Sequence, residues 1–266
     1  MKLFFSLFLL IFSLNYSFAN EINNEQLISI AVNSDDREER NILRDKYRNP
    51  VETLSFFGLS KDMKVLELTP GRGWYSEILG KYMKGTDNYY VAKYDPPQFA
   101  IEIINKIQKE FVTYFSNNTD KFGKIKYISI NEDFEIISDQ NKFDMVLTFR
   151  NTHNWLDRNK AKKIYSSIYK LMKKGGVLGV VQHRADESSD LNYKGGYVKE
   201  SFLIKFIEEQ GFKFLEKSEI NSNSKDLKNY EKGVWTLPPT FRLGEKDKSK
   251  YSKIGESDRM TLKFAK

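Results

Sequence analysis

A chain of 266 residues that is 40% hydrophobic and 30% charged has room for a substantial core, and its composition is that of a soluble globular enzyme rather than a disordered or membrane-spanning chain. The formal net charge of +7 comes mostly from lysines scattered along the chain. A nucleic-acid partner is therefore not expected, because that function needs a focused basic stripe. The absence of cysteine excludes disulfides, thiolate metal sites and a cysteine nucleophile, and no grouping of His, Asp and Glu has metal-ligand spacing.

The first element is a leader. Met1 and Lys2 precede an apolar run over residues 3–12, and Ser17-Phe18-Ala19 places small residues where a signal peptidase reads. The run is short for a membrane span. Residues 1–19 are expected to be a signal peptide cleaved after Ala19, giving a periplasmic or secreted protein with no stable membrane anchor; a retained N-terminal anchor is the alternative. Residues 20–58 read as a helical extension. A helix start with acids in its first turn falls at residues 34–40, and Asn49-Pro50 opens a short helix, with Asn49 as cap and Gly58 as stop.

Residues 59–266 read as one α/β domain. Strand Val65–Leu68 runs into Thr69-Pro70-Gly71-Arg72-Gly73 and then a helix over residues 74–84. Glycines at such a corner let the backbone turn tightly and approach a ligand, and the helix start adds unpaired donors. A strand at residues 89–92 closes on Asp95, and a helix spans residues 99–115. Strands Lys126–Ile130 and Phe143–Phe149 follow, the second continuously apolar at its centre, as a strand buried on both faces should be. A helix over residues 157–172 stops at Gly175-Gly176 before a strand at residues 177–181. A helix at residues 199–210, a strand at residues 212–219 and a last strand at residues 259–264 complete the pattern. This alternation predicts a mostly parallel seven-stranded sheet of Rossmann-like type with helices on both faces. The final strand lacks a crossover helix and is free to run antiparallel.

Ligands in such sheets sit beyond the carboxyl ends of the strands, so each strand end offers candidates. Glu67, Gly71, Arg72 and Gly73 end the first. Asp95 ends the second, where a carboxylate can accept both hydrogen bonds of a ribose diol. Glu132 and Asp133 end the third, placed to meet an adenine amino group. Arg150, Asn151, His153 and Trp155 follow the fourth, and His183 and Arg184 the fifth. The two histidines are the only ones in the chain, and a histidine at that rim can take a proton near neutral pH. His153 is a base or a helix cap; His183 is a base or a satisfied core group. Arg150 and Arg184 bind a substrate carboxylate or phosphate, or form internal salt bridges with Glu67, Asp95 or Asp186. Trp74 and Tyr75 stack on a ligand or pack in the core. The run 44–48 is a solvated helical face or a lid.

The strings at residues 44–50, 70–75, 149–155, 234–239 and 258–262 resemble a family of predicted, exported bacterial methyltransferases of the class I S-adenosylmethionine (SAM) fold. The resemblance implies a SAM site at Glu67, Gly71, Gly73 and Asp95, with Arg72, Trp74 and Asp133 beside it, and methyl transfer to an oxygen or nitrogen of a small-molecule or protein acceptor near Asn151 and His153. Two departures stand out. Arg72 lies where a small residue is expected, and Gln182 precedes His183 where relatives carry an acid. The alternative is a catalytically silent exported binding protein that retains the fold. A nicotinamide-dependent enzyme is disfavoured by the missing third glycine of the dinucleotide fingerprint.

Overall fold

The structure is a computed structural model that describes residues 22–95, 101–190 and 193–266. Residues 1–19, expected to be a leader, and the expected cleavage point after Ala19 lie outside the described residues. Strands β1 (Val65–Leu68), β2 (Tyr89–Tyr94), β3 (Lys126–Ile130), β4 (Ile136–Ile137), β5 (Phe143–Phe149), β6 (Met172–His183), β7 (Lys213–Ser218) and β8 (Arg259–Ala265) form one sheet in the order β4-β3-β2-β1-β5-β6-β8-β7. β1 pairs in parallel with β2 and β5, β2 with β3, and β5 with β6. β8 is antiparallel to both β6 and β7, as the missing crossover allows. The sheet has eight strands, not seven. The extra one, β4, pairs two residues antiparallel with β3, too few for a period-2 pattern to register in the sequence.

Alternation along the central strands feeds two cores. Leu66, Leu68, Tyr90, Ala92 and Val146 face one side, under α7 (Thr152–Asp157), α8 (Ala161–Leu171) and α9 (Glu200–Glu208). Val65, Val91, Met145 and Leu147 face the other. That side is covered by α1 (Asn24–Val32), α3 (Pro50–Phe57), α4 (Trp74–Met83), α5 (Glu102–Asn117) and the short α6 (Thr119–Phe122). The N-terminal extension thus packs in the same core as the sheet, with Ile28, Leu54 and Phe57 fully buried. Helix α4 is buried along nearly its whole length.

Four local expectations are corrected. The helix expected at residues 157–172 begins only at Ala161, as α8, and a separate short helix that the pattern does not predict, α7, precedes it, the two parted at Asn159, whose φ is 56°. His153 therefore sits in the first turn of α7 rather than in a loop. Gly175 and Gly176 lie inside β6, where the ladder skips from Phe143↔Met172 to Met145↔Val177, so they form an irregularity in the strand instead of a stop before it. Asn49 stands at the N-cap of α3 as expected, its carbonyl accepting from the Thr53 amide at 2.9 Å, but its side chain makes no capping bond: it takes φ 38° and gives its side-chain N–H to the Ile220 carbonyl at 2.6 Å. The acidic run at 34–40 turns into helix α2 (Glu39–Ile42) only at its end, because Arg37 is drawn aside by the Val32 carbonyl and the Asp45 carboxylate, each 2.6 Å away. Among the described residues no helix is long and apolar enough to cross a membrane.

Candidate active site

The strand order reverses between β1 and β5, and this switch point is where an open α/β sheet leaves a crevice. Two residues beside it hold left-handed backbone that side-chain-bearing residues seldom adopt: Thr69 after β1, with φ 43°, and Arg150 after β5, with φ 63°. Such conformations persist only where the surroundings enforce them. Asn151 helps to do so, donating to the carbonyls of Leu68 and Thr69 at 3.1 and 3.3 Å, which ties the β5–α7 junction to the end of β1. Asn151 is therefore a clamp across the strand ends.

Two cavities open here and meet at Pro70 and Gly71. The first, about 170 Å³ and mainly apolar, lies between the ends of β1 and β2 and helices α5 and α7, with Thr69, Gly71, Tyr94, Ile104, Asn151 and Trp155 in its lining. The second, about 380 Å³, is bounded by Arg44, Trp74, Arg150, His183, Trp235 and Glu256.

The glycine corner divides its work. Gly71 has φ 62° with open space where a Cβ would stand, so its bare face looks into the crevice. The amide N–H groups of Gly71 and Arg72 have no protein acceptor among the described residues. Gly73, with φ 81°, faces the other way: a Cβ there would lie 2.5 Å from Phe115 Cε2 and 2.9 Å from Phe111 Cε2. Its role is to let α4 start against α5. Arg72 swings clear of the corner into an exposed ion pair with Glu110. Trp74 is buried, gives its indole N–H to the Asn41 carbonyl at 2.7 Å, and lies under the guanidinium of Arg48 at 4.6 Å. It still forms part of the wall of the second cavity.

The expected acids stand elsewhere. Glu67 is 1% exposed and lines neither cavity; its Oε2 accepts from Ser76 Oγ at 2.6 Å and from the Tyr89 hydroxyl at 2.5 Å. Asp95 is exposed and accepts from Ser129 Oγ at 2.8 Å. Asp133 is exposed and pairs with Lys163 at 3.3 Å. None of the described residues lining the first cavity is a carboxylate, whereas Lys93 and Arg158 are among them.

Burial without a neighbouring cation raises the Glu67 carboxyl to about 7 despite its two donors. Its cost to stability is therefore absent below the ordinary carboxylate value near 4.5, grows as pH rises to about 7, and is constant above that. Glu67→Gln is expected to be more stable than the parent protein at pH 8, by up to roughly 3 kcal/mol. The difference should vanish at pH 4, as urea unfolding at the two pH values would show.

The two histidines have unequal access. His153 is 4% exposed and borders neither cavity. Gln182 Nε2 spends one hydrogen on the Gly196 carbonyl at 3.0 Å and the other on His153 Nδ1 at 3.1 Å, which assigns the His153 proton to Nε2. Burial lowers its pKa to about 4, so the ring is neutral near pH 7. Successive residues on β6 point to opposite faces, so an acid at position 182 would meet His153, not His183. His183 does line the second cavity, with Nδ1 2.5 Å from Ser257 Oγ. Burial first, then His153 and the charges of Arg150, Arg259 and Arg48, holds it well below the ordinary imidazole value.

Arg184 is fully engaged with Glu219, Asp258 and Glu200, an internal network with partners other than those expected. Arg150 is different. Its guanidinium borders the second cavity and has no hydrogen bond or ion pair among the described residues. Beside it Glu256 accepts from Arg44 at 2.6 Å, Arg48 at 3.0 Å and Arg259 at 3.1 Å. Burial would raise the Glu256 carboxyl; the charges of Arg48, Arg259, Arg44 and Arg150 overcome this and hold it well below the carboxylate range. The run at 44–48 is thus partly a wall of the site, and Glu256, Ser257 and Trp235 were not distinguishable as site residues from local pattern. The available signal was that the strings at 44–50, 149–155, 234–239 and 258–262, far apart in the chain, all reach this cavity or the ion pairs beside it.

No family model matches the sequence, and no curated protein matches it. The fold is similar to that of a SAM-dependent methyltransferase from Aquifex aeolicus (TM-score 0.54, 16% identity, 67% of this chain and 87% of that one). It is also similar to a SAM-dependent methyltransferase from Clostridium acetobutylicum (TM-score 0.50, 15% identity, 86% and 92%) and to the [4+2]-cyclase SpnF (TM-score 0.54, 13% identity, 85% and 80%). The chain has the Rossmann-like α/β fold of class I SAM-dependent methyltransferases.

Proposed function

We propose that the protein is a SAM-dependent methyltransferase acting on an oxygen or nitrogen atom of its acceptor. The observation that carries this reading is the pair of cavities meeting at Pro70–Gly71 on the switch point of the sheet. Bound SAM supplies a methyl group made electrophilic by its sulfonium. The bare face of Gly71, the free amides of Gly71 and Arg72, and the buried, unpartnered Oγ1 of Thr69 form a cradle for a small polar group. Tyr94, Ile104 and Trp155 supply apolar walls for a flat ring. The second cavity then holds the acceptor, with the neutral imidazole of His183 as the group that takes its proton, and catalysis rests largely on positioning the two reactants.

Calorimetric titration with SAM and with its demethylated product, S-adenosylhomocysteine, is the test. Saturable binding of both in the micromolar range is expected, about −8 kcal/mol, and absence of heat at millimolar ligand would reject the reading.

One observation favours a second reading, a silent binding protein: none of the described residues lining the first cavity is a carboxylate that could hold a ribose diol. The [4+2]-cyclase with a similar fold is a reminder that a fold does not carry its chemistry with it. Binding of S-adenosylhomocysteine with no methyl transfer to any of a panel of acceptors would select it. The leader at residues 1–19 supports export of the chain in either case, and N-terminal sequencing of the native protein should begin at Asn20.

A further inference from the structure

We propose that the second cavity recognises its occupant by an oxyanion, so that the acceptor is a small organic carboxylate or phosphate bound at Arg150 and Arg44. The identification of this occupant as a methyl acceptor rests on the methyltransferase reading; the anion site itself does not.

The charge count is the first observation. Arg44, Arg48 and Arg259 share the single carboxylate of Glu256, and Arg150 stands close enough to feel all four groups. Four guanidiniums against one carboxylate leave an excess of three positive charges (4 − 1) in a buried region. The other cations of the wall are already paired, Arg40 with Glu38 and Arg72 with Glu110. Asp258, the nearest further acid in sequence, is taken by Arg184 and Lys228. Among the described residues no second carboxylate forms an ion pair with this cluster.

The second observation is the unused donors. The guanidinium of Arg150 reaches the cavity with no hydrogen bond or ion pair among the described residues. Behind it Arg48, which does not itself line the cavity, is 1% exposed, with its guanidinium over the Trp74 ring and its Nη2 buried with no hydrogen bond. Buried polar groups are as a rule hydrogen-bonded, and a guanidinium left so is matched by the planar fork of a carboxylate or phosphate. Arg150 is presented by left-handed backbone, φ 63°, at the strand end that faces the glycine corner. Trp74 and Trp235 flank the space, which suits a flat apolar body carrying the anionic group. His183, on the same wall, loses affinity for its proton through burial and through the charges of Arg150, Arg259 and Arg48. An anion neutralising those charges would make the imidazole a better base only when the acceptor is in place.

The test uses the mature chain and four probes followed by calorimetry: benzoate, phenyl phosphate, inorganic phosphate and the neutral benzyl alcohol. Benzoate or phenyl phosphate is expected to bind with a measurable constant and benzyl alcohol not to bind; which of the two anions binds more tightly identifies the group. Arg150→Gln should lose about tenfold or more of that affinity, while its affinity for S-adenosylhomocysteine stays within about twofold of the parent value. Arg150 has no partner to lose, so the variant should fold; thermal unfolding would show it no less stable than the parent and no longer stabilised by the anionic probe. Equal binding of benzoate and benzyl alcohol, binding of inorganic phosphate alone, or unchanged benzoate affinity in Arg150→Gln would overturn the inference. Binding of S-adenosylhomocysteine without any organic anion would overturn it and leave the methyltransferase reading standing. Organic-anion binding without S-adenosylhomocysteine would keep the anion site and remove only its role as acceptor pocket.

Discussion

Glu256→Gln is expected to destabilise the protein by about 3–5 kcal/mol, the cost of stranding buried charge when one member of an ion cluster is removed. Glu256 is 4% exposed, and its two oxygens are the acceptors for Arg44, Arg48 and Arg259. A glutamine offers one acceptor oxygen and turns two hydrogens toward donors. Because the folded-state carboxyl is held well below the ordinary value, its stabilisation is fully present above about pH 4.5 and is lost as pH falls below that. The gap between parent and variant, read from urea unfolding, should be full at pH 7 and narrow steadily toward pH 3. A gap independent of pH would mean that the carboxylate charge is not what holds these arginines. Sulfate or phosphate should restore part of the loss at neutral pH, since either can occupy the place of the missing charge.

The second large effect separates the two glycines of the corner. Gly73→Ala should cost about 2–5 kcal/mol: roughly 1–2 for placing a side chain at left-handed φ and about 1–3 for forcing a methyl into packed aromatic rings. The clash is with Phe115 and Phe111 on α5, not with a ligand. Gly71→Ala has the same backbone cost, roughly 1–2 kcal/mol, and nothing within 4 Å to collide with. Its effect should fall on binding, with about tenfold or more of the S-adenosylhomocysteine affinity lost as the methyl enters the crevice. Equal destabilisation of the two variants would contradict this division.

Much of the framework was legible before any coordinates. β1, β3 and β5 begin and end at the expected residues; for β1 and β5, buried along nearly all their length, the signal is a mostly apolar run bounded by turn residues, which is wholly local. The antiparallel last strand is allowed, though not required, by the lack of a crossover helix. Helix α7 did not show, being six residues long and parted from α8 by Asn159 in left-handed backbone, with no glycine or proline to mark the break. Nor did β4, two residues long.

The candidate site divided along the same line. The local sequence determined that a tight corner follows β1 at the switch of the sheet, and that both histidines and Arg150 lie near strand ends. Which of those groups reaches a cavity was decided only by the tertiary structure. Glu67 points under α4 toward Ser76 and Tyr89, Gln182 binds His153 rather than its neighbour His183, and Gly73 serves packing while Gly71 faces open space. Residue type and spacing are properties of the chain alone. The direction of a side chain at a strand end depends on the alternation of that strand, where a shift of one residue reverses the face, and on partners such as Arg44 and Glu256 that stand more than two hundred residues apart.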